Sequence, residues 1–133
     1  MRATLANGLL RVGRFEEAIS NFEAAISQNP FAYIWYQNGL TRALILMEKY
    51  EEAIPRIKTV LEQDANHIQG LLFLAVACLK LGRTEESIQA IAKARSIAPS
   101  LRISHVPGLM LVDSPKAMAR FCESLRDAGL PEE

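Results

Sequence analysis

The sequence has only two cysteines, Cys78 and Cys122, and neither belongs to a CxxC pair or to a cluster of cysteines and histidines. A disulfide framework or a structural zinc site needs more such ligands at short, regular intervals. Neither is therefore predicted. Because Cys78 falls among apolar residues at helical spacing, we expect a buried, reduced thiol and a cytoplasmic protein.

The sequence also lacks an excess of charge, since 15 Lys and Arg residues balance 15 Asp and Glu residues. Without a basic excess, few phosphate counterions would be released on binding, which argues against nucleic acid as a partner. The longest nearly uninterrupted apolar run, residues 71–79, is much shorter than the ~20 residues of a membrane span. The first 15 residues lack the apolar core and cleavage site of a signal peptide. We predict that this chain contacts neither nucleic acid nor membranes.

Catalytic and metal-binding motifs are absent as well: there is no GxSxG, P-loop, HExxH or GxGxxG motif. His67 and His105 each lack a second ligand three or four residues further on. Glu-Glu pairs at 16–17, 51–52 and 85–86 resemble carboxylate dyads, but they recur where helices are expected to begin. Acidic side chains there stabilise the positive end of the helix dipole. We predict a non-enzymatic protein without a metal or cofactor.

The sequence does contain one residue pattern that occurs three times. Its third copy, residues 82–99, reads GRTEESIQAIAKARSIAP, with an apolar stripe at helical spacing between a glycine and a proline. The equivalent small residues Ala18, Ala53 and Ser87 lie 35 and 34 residues apart. A period in this range indicates stacked helical repeats.

The periodicity and the turn residues predict two helices in each repeat. Connections of only a few residues force consecutive helices into antiparallel hairpins. The expected helices cover residues 2–12, 15–28, 32–47, 50–63, 68–81 and 84–97.

The spacing of these residues resembles the tetratricopeptide repeat, whose signature is W-x2-L-G-x2-Y…A-x3-F…P over 34 residues. The middle copy departs from it by one extra residue and by lacking the final proline. The resemblance covers about residues 1–100 and implies an all-α, right-handed superhelix of three antiparallel hairpins, with repeats at 1–30, 31–66 and 67–100. The third copy carries it on Leu71, Leu74, Ala75, Cys78, Ser87, Ile91 and Pro99.

The remaining residues, 101–133, form an irregular apolar segment and then a seventh helix. Asp113-Ser114-Pro115 predicts the start of this helix, and Gly129 followed by Pro131 predicts its end. Its apolar face is expected to cap the third hairpin.

Two features suggest a larger protein. The first copy begins at its third position, so we expect the chain to be a fragment of a longer repeat protein. The ending RDAGLPE, residues 126–132, resembles the closing segment of bacterial proteins in which a class III adenylate/guanylate cyclase or winged-helix domain precedes tetratricopeptide repeats. This second resemblance implies the regulatory part of a bacterial signalling protein, with any catalytic domain outside this chain.

In such a superhelix the first helix of each repeat lines a concave groove. Chaperone cofactors of the family that grip a C-terminal carboxylate carry cations where this chain has Leu72 and Val76, so binding of a chaperone tail is disfavoured. The groove is instead predicted to be apolar. The predicted partner-binding residues are Asn7, Trp35, Asn38, Arg42, Ile45, Gln69, Leu72, Val76 and Leu79.

A large apolar groove is not expected to stay in contact with water. Either the chain's own residues 103–112 fold into it, or an apolar segment or helix of a protein partner or of a second copy fills it. In the second case Trp35 is the expected anchor, with Asn38 and Arg42 holding a polar backbone group. We therefore predict a protein–protein interaction or scaffold module. The alternatives are the C-terminal region of a cyclase and a homo-oligomerisation module.

Overall fold

The computed structural model of the protein describes residues 2–28, 34–106 and 115–131. In these ranges it is helical, without a strand, which confirms the all-α prediction. The hairpins are formed by six helices, and a 3-10 turn at Ile103–His105 precedes the last helix. The helices are α1 (Arg2–Arg11), α2 (Phe15–Gln28), α3 (Ile34–Leu46), α4 (Tyr50–Gln63), α5 (Ile68–Lys80), α6 (Thr84–Ile97) and α7 (Pro115–Ala128).

The same turn closes the first helix of each hairpin. Gly13, Glu48 and Gly82 occupy equivalent positions and have positive φ angles of 88°, 61° and 80°. After each of them, the next backbone N–H donates to a carbonyl five residues earlier, at 2.9, 2.9 and 2.7 Å. This left-handed cap leaves the second helix antiparallel to the first. Glu48 adopts it without glycine, at a cost of about 1–2 kcal/mol.

Small residues sit where the two helices of a hairpin cross. Ala18, Ala53 and Ser87 are buried, and the Ser87 hydroxyl donates to the carbonyl of Ala75 at 2.7 Å. Because these side chains are small, the helix axes can approach closely. The hairpins then stack, with α3 on α2 and α5 on α4.

The last helix does not continue this stack. A further repeat would place its first helix mainly on α6, as α3 lies on α2, but α7 packs mainly on α5, less on α6, and also reaches α3. The rings of Phe121 and Phe73 meet edge to face, with centroids 5.9 Å apart and planes at 63°. The final helix is therefore shifted towards the first helices of the repeats.

A backbone hydrogen bond joins the residues just after α7 to the segment that precedes this helix. Gly129 has a φ of 108°, and the N–H of the buried Leu130 donates to the carbonyl of Leu125 at 3.0 Å. The N–H of Ile103 donates to the carbonyl of Pro131 at 2.9 Å. The glycine and proline therefore end the helix where the sequence predicts, and part of the ending RDAGLPE has a structural role.

His67 should make stability depend on pH, because its Nδ1 accepts the N–H of Gly70 at 2.9 Å and caps α5. Burial lowers the pKa of His67 from its ordinary 6.5, an effect that Asp64 opposes and Arg42 reinforces. This stabilisation is complete above pH 6.5 and is lost as the pH falls through the lower folded-state pKa. Urea unfolding at a series of pH values should show it, with a weaker decline in His67→Asn, which keeps a capping oxygen. Equal declines in both proteins would contradict this role.

Candidate partner-binding surface

The first helices of the three repeats, α1, α3 and α5, lie side by side. Their residues at the concave positions of the repeats form one surface, which we call the A-helix surface. All nine predicted groove residues lie on these helices. The side chains of two of them, Asn7 and Trp35, lie outside the described part of the structure. The predicted role of Trp35 as an anchor therefore stays a prediction.

Polar residues meet at one end of the A-helix surface. The Asn38 amide Nδ2 donates to Oε1 of Gln69 at 2.7 Å, which ties α3 to α5. Asn38 is buried, and among the described residues its Oδ1 has no hydrogen-bond donor. Arg42, one turn further along α3, is largely buried, and this burial lowers the pKa of its guanidinium. The structure thus brings together three of the predicted polar residues.

The apolar residues of the A-helix surface are covered. Ile45, Leu72 and Val76 are buried, while Leu79 keeps partial exposure. Leu72 and Val76 lie on α5, the helix on which α7 mainly packs. They belong to one core cluster with the apolar side of α7. The predicted groove is therefore closed at Ile45, Leu72 and Val76 in this conformation.

A small cavity shows how α7 reaches α3. It measures about 10 Å³ and is lined by Ile45 and Tyr50 on one side and by Ala117, Arg120 and Phe121 of α7 on the other, together with Leu46 and Glu48. Burial, and then Glu48, raises the pKa of the Tyr50 hydroxyl, while Arg120 opposes the change. The final helix therefore lies against the end of α3 as well as on α5.

The sequence predicted residues 103–112 as an occupant of the groove. Ile103 and Val106 are buried in the common core, and residues 107–112 lie outside the described ranges. The helix that does reach the A-helix surface, α7, was expected only to cap the third hairpin. Its apolar side is wide, and this width was a signal that it covers more than one helix. Its buried residues are Ala117, Met118, Phe121, Cys122, Ser124, Leu125 and Ala128.

Within the described ranges, no three His, Cys, Asp or Glu side chains are grouped so that they could hold a metal ion. Both cysteines are buried, and neither forms a disulfide bond with a described residue. Burial and then the nearby Glu86 raise the pKa of the Cys78 thiol, and burial raises that of Cys122. Such thiols are poor nucleophiles at neutral pH. Among the described helices, none is both long and apolar enough to cross a membrane.

Comparison with known proteins adds to this geometry. Two sequence profiles, each described as tetratricopeptide repeat, match residues 4–40 and 44–104, which together make up most of the chain. The Hsp70-Hsp90 organizing protein of Triticum aestivum is 30% identical over 94 residues. That match covers 71% of this chain but only 16% of the wheat protein's length.

Solved structures with the same architecture include MamA, residues 41 to the end, from Desulfovibrio magneticus RS-1. It has a TM-score of 0.73 and 19% identity, over 96% of this chain and 73% of that one. A thermophilic TPR protein of Thermus thermophilus has a TM-score of 0.65 and 20% identity, over 95% of this chain and 73% of that one. At this identity the likeness concerns the fold alone.

Proposed function

Because this chain belongs to the tetratricopeptide repeat family, a family of protein–protein interaction modules, we propose that it binds an amphipathic helix of a protein partner on the A-helix surface. The partner helix takes the place that α7 holds in the isolated chain. The function is recognition without covalent chemistry, and affinity comes from the burial of apolar area.

The position of α7 is the observation that supports this proposal. A helix that merely extended the stack would pack on α6, whereas α7 packs mainly on α5 and reaches α3. Its Phe121 contacts Phe73 and lines a cavity with Ile45. These contacts support a helix as the occupant of the A-helix surface, and we use α7 as the guide to the chemistry of the partner helix.

The partner helix should carry small, aromatic and aliphatic residues at helical spacing, as α7 does with Ala117, Phe121 and Leu125. Asn38 and Arg42 lie one turn apart on α3, and the Asn38 side chain is hydrogen-bonded to that of Gln69. These polar groups can orient polar atoms of the partner beside the apolar contact. We propose the predicted groove residues as this contact surface.

The similarity to a chaperone-organizing protein does not lead us to propose a chaperone tail as the ligand. A C-terminal carboxylate needs cations at the positions of Leu72 and Val76, and both side chains are apolar and buried. An apolar helix matches these residues better.

We further propose that the module is the regulatory part of a bacterial signalling protein. Only the ending RDAGLPE supports this signalling context. The same ending is the only support for the narrower alternative, in which a cyclase domain precedes the repeats. Because Gly129, Leu130 and Pro131 also close α7, the ending is explained in part without any such domain.

Cys122 provides a native reporter for the proposed exchange, because it lies buried on α7 while Cys78 lies buried on α5. A synthetic peptide of residues 113–131 with Cys122→Ser serves as the probe helix. Added in excess to the full chain, it should displace α7 and accelerate labelling of Cys122 on the order of tenfold. Labelling at each thiol is followed by mass spectrometry of proteolytic fragments, and that of Cys78 should not change.

A matched control peptide carries Phe121→Ala in addition, which removes the aromatic contact with Phe73. It should accelerate Cys122 labelling much less. An unchanged rate at Cys122 with the first peptide would contradict the proposal. Equal acceleration at Cys78 would mean that the peptide unfolds the chain, and it would contradict the proposal as well.

A further inference from the structure

At both ends of the helical stack, large apolar side chains are exposed to solvent. Among the described residues, four large apolar side chains are exposed. Leu5 and Val12 lie at the start of the stack, on α1 and just after it, and Ile88 and Ile97 lie on α6. Within the described ranges, the large exposed apolar side chains are thus confined to the two ends of the stack.

The repeat period shows what normally covers these positions. Leu40, 35 residues after Leu5, is 1% exposed, whereas Leu5 is 54% exposed. Ile19 and Ile54, equivalent to Ile88, are 9% and 6% exposed, whereas Ile88 is 57% exposed. Within the chain these positions lie where one hairpin stacks on the next, α3 on α2 and α5 on α4. The exposed positions at the ends are the two halves of this same interface.

The open half on α6 is a groove of about 560 Å³. It is open because α7 packs mainly on α5 and borders this side of α6 only with Ala128 and Gly129 at its end. Its lining residues are Ile88, Ile91, Ala92, Arg95, Ser96, Pro99, Ala128 and Gly129.

The other half of this interface is an exposed apolar stripe on and just after α1, with a glycine in its middle. Leu5, Gly8 and Val12 follow one another at helical spacing and are exposed. Apart from its chain neighbours and the backbone of its own helix, nothing described lies within 4 Å of the position that a Cβ of Gly8 would take. A facing helix can therefore approach this stripe closely.

In the antiparallel arrangement that the internal interfaces use, the end of α1 and the start of α6 carry opposite charges, while the start of α1 and the end of α6 carry Arg2 and Arg95. The last turn of α1 carries Arg11 and no acidic residue lies in its first turn. The first turn of α6 carries Glu85, three residues before Ile88. Antiparallel docking brings the end of α1 to the start of α6, so that opposite charges face each other.

We propose that a second copy of this chain docks its α1 on the α6 groove and repeats the internal hairpin interface between molecules. The contact is head to tail, so each bound copy leaves one free end of each kind. Such a contact does not close by itself and gives chains of increasing length. This surface is distinct from the concave positions of the A-helix surface, but Ala128 and Gly129 at the end of α7 line the α6 groove. Displacement of α7 by a partner helix would therefore alter the groove.

Two charge-introducing variants of the full chain test the proposal. Leu5→Glu blocks the α1 face and leaves the α6 groove intact, and Ile88→Glu does the reverse. Sedimentation velocity from about 10 µM to about 1 mM, the range of weak contacts, should show growing oligomers for the unmodified chain. Each variant alone should remain monomeric, because every contact needs both faces.

An equimolar mixture of the two variants gives the decisive result. The mixture retains one intact pair of faces and should form dimers but no larger species. Both side chains are exposed, so circular dichroism should show unchanged helicity in each variant. A monomeric unmodified chain throughout the range would overturn the proposal. Dimers of Leu5→Glu alone would also overturn it, since they would indicate a symmetric contact between α6 faces.

Discussion

Replacing Gly39 with alanine is expected to lower the free energy of unfolding by about 1–3 kcal/mol. The direction is opposite to helix propensity, by which alanine stabilises a helix over glycine by up to about 1 kcal/mol. Gly39 lies within α3, directly against the buried ring of Phe22 on α2. A Cβ at Gly39 would clash with Cζ of that ring and lie 2.6 Å from its Cε1. The cost is therefore overpacking between two hairpins.

Gly8 on α1 provides the matched control, because nothing lies within 4 Å of its Cβ position. Gly8→Ala should raise the free energy of unfolding by up to about 1 kcal/mol at low protein concentration. Urea unfolding followed by circular dichroism measures both changes. Introducing Phe22→Leu together with Gly39→Ala should cost less than the sum of the two single changes, because the smaller side chain makes room for the methyl group. Additive costs would show that the clash is not the cause.

Phe73→Ala is expected to be more damaging, with a loss of about 3–5 kcal/mol. Phe73 is fully buried on α5 and packs edge to face against Phe121 of α7. Its removal leaves a cavity at the point where the third hairpin and the final helix meet. Phe15, only partly buried at the start of α2, is the control, and Phe15→Ala should cost clearly less in the same urea titration.

A double-mutant cycle separates the aromatic contact from the general loss of packing. Phe73→Ala, Phe121→Ala and the double variant should give a coupling of about 0.5–1.5 kcal/mol. A coupling near zero would mean that the two rings contribute independently, and α7 would then be held by its other contacts alone.

The repeat architecture was predictable from the residues because it depends on local rules repeated three times. The period set by Ala18, Ala53 and Ser87 and the short turns predicted six helices, whose bounds within the described ranges differ from the prediction by no more than one residue. Glu48 shows the limit of this reasoning. It adopts the left-handed turn conformation that Gly13 and Gly82 adopt, and only its place in the repeat, not its own residue type, indicated a turn.

The candidate site was predictable in part. Concave positions follow from repeat register, which placed Asn38, Arg42 and Gln69 on one predicted surface. The hydrogen bond between Asn38 and Gln69 joins two of them, and their predicted role in binding a partner stays a prediction. Which of these positions stay open does not follow from register. Ile45 is buried where the chain's own last helix reaches the end of α3.

The sequence by itself determined the helices, their pairing into hairpins and the apolar side of α7, because periodicity and turn chemistry act between residues that are close along the chain. Only the tertiary structure decided where α7 lies. Burial of apolar area has no direction, so α7 could lie along α6 or across α5 towards α3 with similar local chemistry. The choice depends on how whole surfaces fit, as at Phe73 and Phe121. The packing of α7 on α5 and the end of α3 covers this part of the A-helix surface and leaves the groove on α6 open.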